Sequence, residues 1–390
     1  MRIAQLPGGR CVVVASVLML SANTLLAQGI GQPRAELWQK AIQGPGEYEI
    51  KQVTVTPGGV TWLLVRSYPK GRLDALPTQE LRWFDASGEE GSAIPLEALF
   101  AGQNVEMRAT EPVIVAGDGD ALFLFAISRT SQVIGVRVDD KKGHAVARAL
   151  SAAARDRYIG GAVVADKGTI LLVGHVEGRE WRLKVNSSLE RVWEKEEQQN
   201  GARTTVFVGA AVQVDGRFAV VGARLPISGP ASSFVAICTG DGQVVRRREF
   251  SGGVARVARD SLGYVVVHSV RGEVGWDVWI RAFTADLNER WTYRIAVGLV
   301  TPFTFEIGAG PAGDWVVTGE QGRQFLVLFG GIEGPGATYI VPPVNTFWQR
   351  IWSVCPPART REGVMVAGTL RVVDADGKPL QIGQLMKLKL

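Results

Sequence analysis

The chain has 390 residues, 46% hydrophobic and 21% charged, with a formal net charge of +5 and 47 glycines against 18 prolines. So much apolar material supplies a large core and excludes intrinsic disorder, and the glycine excess suits a turn-rich all-β protein. The charge balance is too mild to carry nucleic-acid binding, so no nucleic-acid partner is expected.

In chain order, the first 27 residues read as a secretory signal peptide. Arg2 and Arg10 provide a positive start, Cys11–Leu20 is an apolar run of ten, and Leu25–Ala27 precede Gln28. This pattern predicts cleavage after Ala27 and a secreted or periplasmic mature protein. The run is too short to cross a bilayer, which takes about 20 residues. Every later apolar run is broken by charged or turn residues, so no membrane span is expected. Loss of Arg2 and Arg10 lowers the formal charge to +3. Cys238 and Cys355 are the cysteines that remain.

Seven near-continuous apolar runs follow: TWLLVRS (61–67), ALFLFAIS (121–128), TILLVGH (169–175), RFAVVGA (217–223), YVVVHSV (264–270), DWVVTGE (314–320) and GVMVAGT (363–369). Matching positions are Arg66, Ala126, Gly174, Gly222, His268, Gly319 and Gly368, at steps of 60, 48, 48, 46, 51 and 49 residues. The insertion 67–80 explains the long first step. Each run has a shorter strand and a Gly- or Asp-containing turn before it, and a third strand and a more polar fourth strand after it. A period near 50 with four short strands per period predicts one seven-bladed β-propeller over residues 28–390, built of four-stranded antiparallel blades.

The two ends fit each other. GQLMKLKL (383–390) reads as a third strand with no fourth, and AELWQKAI (35–42) reads as a fourth strand with no blade. The N-terminal strand is therefore expected to close the ring and remove an exposed edge. In this register Cys238 falls in blade four and Cys355 in blade seven. Two buried thiols are expected rather than a disulfide.

Runs such as FLVLFGG (325–331), WRLKVNSSLERVW (181–193) and WIRAFTADLNERW (279–291) resemble the exported bacterial β-propellers of the PQQ-like and related seven-bladed kind. Trp38, Trp193 and Trp291 keep the tryptophan of the outer strand. The resemblance implies the architecture. Nothing here matches the residues by which quinoprotein enzymes hold their cofactor, so no cofactor is expected.

No residue stands out as catalytic, and no metal site is expected. His144, His175 and His268 lie in separate repeats and read as structural. Asp374 and Asp376 resemble the start of a calcium loop, but Gly383 stands where its bidentate acid belongs. Trp276, Trp348 and Trp352, near blade entrances, are candidates for an aromatic shelf.

One regularity points to a face. The loop after each second strand carries an arginine: Arg72, Arg129, Arg179, Arg224, Arg271, Arg323 and Arg371. The approach to the first strand adds a basic residue in six of the seven repeats: Lys51, Arg108, Arg157, Arg203, Arg256 and Arg350. In a propeller these two loop sets share one end of the ring. The candidate binding residues are thus Arg129, Arg157, Arg179, Arg203, Arg224, Arg256, Arg271, Arg323 and Arg371, facing an acidic polysaccharide or an acidic protein. The expected protein is a monomeric, non-enzymatic binding or scaffold module. The alternative is a propeller-type enzyme acting on a polysaccharide or a quinone-linked substrate.

Overall fold

The computed structural model describes residues 36–389 apart from 43–45, 73, 107–110, 140, 166–167, 198–203, 227–229, 300–304, 310–312, 322–323, 341–349, 356, 361–362 and 374–378. Residues 1–27, where a signal peptide is expected, lie outside these residues. The fold is a seven-bladed β-propeller of antiparallel, four-stranded blades with almost no helix. Blades one to six take their strands in sequence order, from Gly46–Val55 through Gly334–Ile340. In each, a hairpin joins every strand to the next, as the turn signals between the apolar runs require.

Blade seven is completed from the far end of the chain. Its strands Gly363–Val373 and Pro379–Lys389 are joined by Glu36–Ala41, which pairs antiparallel with the latter. The register shows that this is a true fourth strand. Trp38 faces Lys387 with a bulge just before it, as Trp193 faces Lys184 after a bulge in blade three. The outer strand of blade five has the same irregularity beside Trp291.

The second strands hold near-continuous apolar runs because those runs are buried on both faces. Along Leu122–Ile127, the side chains of Leu122, Leu124 and Ala126 enter a cluster shared with blade one. Phe123 and Phe125 enter the cluster shared with blade three. The period of two along a strand thus sends alternate residues to different joints. Among the described residues seven such clusters occupy the seven joints, including the one that seals blade seven to blade one. Each fully buried Leu, Ile or Phe contributes about 1.5–3 kcal/mol. In blade one the fourth strand shrinks to Ile94–Pro95. The short helix Leu96–Leu99 takes over, burying Leu96 and Leu99 in the joint with blade two.

Cys238 and Cys355 are both buried and unbonded. Cys238 ends the third strand of blade four. Cys355 follows the first strand of blade seven, its N–H bonded to the carbonyl of Ala367.

Candidate functional site at the mouth of the central channel

The first strands of neighbouring blades touch and surround the ring axis. Like the outer strands, several of them depart from regular pairing. Four of the seven are bulged: between Ile50 and Gln52, Ile159 and Gly161, Val208 and Ala211, and Ile351 and Ser353. Bulges re-aim side chains and concentrate near functional sites. The bulges of blades one and three border a cavity of about 540 Å³, lined by first strands of blades one, two, three, five and six.

Charged groups gather where these strands begin. Lys51, the residue extruded by the bulge in blade one, lies 3.3 Å from Glu49 and 3.4 Å from Glu111. Arg66 Nη2 is 2.9 Å from the same Glu111. Across the cavity Arg256 Nε donates to both carboxylate oxygens of Glu306, at 3.0 and 2.9 Å. Burial raises the pKa of Glu306, and the Arg256 charge opposes that rise. Tyr68 donates its hydroxyl to Glu49 Oε2 at 3.1 Å, behind the cavity wall.

Tyr158 stands among these charges. It pairs across its hairpin with His175, and the two rings stack at 5.1 Å and 26°. Its pKa is raised first by burial and then by Glu111, against the lowering charges of Arg256 and Lys51. The phenol therefore shares one electrostatic neighbourhood with residues from blades one, two and five. The residue is nevertheless 47% exposed.

The predicted arginines fall into three groups. Arg129 and Arg271 are exposed at the ends of second strands; Arg129 pairs with Glu106 at 3.3 Å, and Arg271 lies 5.5 Å over the ring of Trp276. Arg179 pairs with Glu177 and Glu196, and Arg256 lines the cavity. The remainder sit differently from a loop-borne rim. Arg157 is buried against Trp181 and paired with Glu194 at 3.3 Å. Arg224 lies inside its strand and pairs with Glu249, and Arg371 likewise lies inside the long second strand of blade seven. Hairpin pairing continues past the apolar run in both blades, which draws these positions into the sheet. Arg203 and Arg323 lie outside the described residues, as does Trp348. Among the described residues no cluster of His, Cys, Asp and Glu could hold a metal ion.

The residues of the mouth that the sequence reading missed are Glu49, Arg66, Glu111, Tyr158 and Glu306. No motif links them, since they come from five different strands or loops. One signal was present: Arg66 occupies a position that is Gly or Ala in five other repeats.

Ring, joints and channel together define a seven-bladed β-propeller with a charged mouth. The β-propeller domain of the Trilobed protease from Pyrococcus furiosus is similar in fold: TM-score 0.52 and 11% identity, covering 86% of this chain and 95% of that one. A protein of unknown function from Dyadobacter fermentans aligns over 92% of this chain and 100% of its own, at 8% identity and a TM-score of 0.49. A luciferin-regenerating enzyme aligns over 72% of this chain and 95% of its own, at 12% identity and a TM-score of 0.42. At such identities the likeness concerns fold alone. No protein-family model matches the chain, and no curated protein matches it in sequence.

Proposed function

We propose that this is an exported binding propeller that engages a polar extracellular polymer, an acidic polysaccharide first, through the end of the ring where the first strands begin. The gathering of Lys51, Arg66, Glu111, Tyr158, Arg256 and Glu306 around one cavity marks that end as the binding end, and the observation that carries an acidic ligand is the exposure of Arg129 and Arg271 beside it. Exposed Arg129 and Arg271 supply cationic groups at the ends of second strands, which lie at that same end. Planar guanidinium groups suit carboxylate or sulfate. The leader pattern at residues 1–27 supports export.

The test is retention on immobilised polygalacturonate at low and high salt. The protein should bind at low salt and elute as the Debye length falls. Arg129→Glu/Arg271→Glu should elute at clearly lower salt. Equal, salt-insensitive retention of both proteins would overturn the reading.

A second reading has its own observation. Glu111 and Glu306 line one cavity, and paired carboxylates are the equipment of glycoside cleavage. Release of reducing ends from the polymer, abolished in Glu111→Gln, would favour it over binding alone.

A further inference from the structure

One property of the mouth bears on its ligand: its charges are matched in a partly buried setting. Lys51, Arg66 and Arg256 meet Glu49, Glu111 and Glu306 at 2.9–3.4 Å. A charged ligand entering here would have to break one of these pairs and leave a partly buried partner uncompensated. A ligand bearing hydroxyl groups need break none. Each hydroxyl both donates and accepts, and the wall offers ammonium and guanidinium donors beside carboxylate acceptors.

The remaining wall supplies a platform. Tyr158 is almost half exposed in a lining otherwise rich in buried aliphatic groups such as Ile50, Leu64 and Val113. Its ring is stacked on that of His175, which holds it in place. The backbone at this point is shaped for the purpose. A Cβ on Gly174 would lie 1.9 Å from the carbonyl oxygen of Tyr158, so only glycine lets the bulged strand lie this close. An aromatic face beside fixed polar groups is what a pyranose ring requires, with apolar C–H faces and polar edges. The cavity of about 540 Å³ falls within the range of small-molecule pockets.

We propose that the channel mouth is a socket for one neutral sugar unit, seated on Tyr158 and hydrogen-bonded by the Lys51–Glu111–Arg66 and Arg256–Glu306 pairs. This rests on the reading that this end of the ring is the binding end. It adds that a terminal sugar, rather than the charge of the polymer, is what the channel recognises.

The probes are methyl β-D-glucoside, methyl α-D-mannoside, methyl α-D-galactoside and N-acetylglucosamine, with glucuronate and glucosamine as charged counterparts. Binding is followed by calorimetry and by NMR of the full mature chain. At least one neutral probe should bind saturably, shift the Tyr158 ring resonances and be insensitive to salt. Tyr158→Ala should weaken it by about tenfold or more, the factor that corresponds to ~1.4 kcal/mol. Tyr158→Phe, which keeps the ring, should stay close to wild type. If Tyr158→Ala does not fold, Tyr158→Leu and the ring shifts of the wild type carry the same test.

The proposal is overturned if no neutral probe binds, if only glucuronate or glucosamine binds, or if a folded Tyr158→Ala binds as well as wild type. A protein that retains polygalacturonate but takes no neutral probe keeps the face and loses the socket. One that takes a neutral probe through Tyr158 but ignores the polymer keeps the socket and loses the acidic-polymer reading.

Discussion

His268 shows what burial does to one side chain. It is 2% exposed, its ring 4.5 Å from that of Phe250, and its Nε2 accepts a hydrogen bond from Arg281 Nε at 3.0 Å. Burial first, and the Arg281 charge second, push its pKa down to about 3. An unfolded histidine titrates near 6.5. Between roughly pH 6.5 and 3 the unfolded chain therefore takes up a proton that the folded chain refuses, so stability rises with pH and is lost on acidification. The slope from this one group cannot exceed about 1.4 kcal/mol per pH unit. Glu306 and Glu180 act in the opposite sense, because burial raises both above the usual carboxylate range and acidification then favours the folded form. His268→Gln keeps an acceptor for Arg281 and removes the titration. Its melting temperature should vary less between pH 6.5 and 4.5 than that of wild type. Parallel curves for the two proteins would refute this account of His268.

Among the elements, the bulged first strand of blade three has the clearest dependence on a single residue. Ile159 pairs with Gly174 and Gly161 with Val173, leaving Gly160 extruded and Tyr158 turned to the cavity. The missing Cβ of Gly174 is a condition for this close approach. Gly174→Ala should push the strand from its hairpin partner, cost about 1–3 kcal/mol in urea denaturation and impair neutral-sugar binding with Tyr158 still present. A variant with wild-type stability and binding would show that the bulge is not held by this contact. The glycine was visible in the repeat register, as the small residue at a matched position. The bulge beside it was not, because an extruded residue leaves no mark in the two-residue period of a short strand. The same limit hid Lys51 as a cavity residue, although its charge had been noticed.

At the scale of the whole molecule, the closing strand decides whether seven blades make a ring. Glu36–Ala41 pairs along Pro379–Lys389, and Ile42 adds its N–H to the carbonyl of Gly383 at 2.8 Å. Ile42 also packs into the cluster between blades seven and one. Deleting residues 28–43 should lower the melting temperature by about 5 °C or more. It should also produce aggregates on size-exclusion chromatography, because the strand Pro379–Lys389 becomes an open edge. A monomeric truncation with an unchanged melting temperature would exclude closure by this strand. Periodicity alone was enough to determine the blade count, the strand order, the unpaired cysteines and the closing strand. These follow from near-continuous apolar runs of strand length that recur about every 50 positions, a pattern written along the chain itself. Only the tertiary structure decided which charges meet. Glu49, Arg66, Glu111, Tyr158, Arg256 and Glu306 are separated by tens to hundreds of residues and are brought together by rotation about the ring axis, a relation that leaves no spacing in the sequence. It also decided the fate of the arginines, because an arginine beside a strand end becomes an exposed cation, a paired one or a buried strut according to how far the hairpin continues and which carboxylate lies within reach.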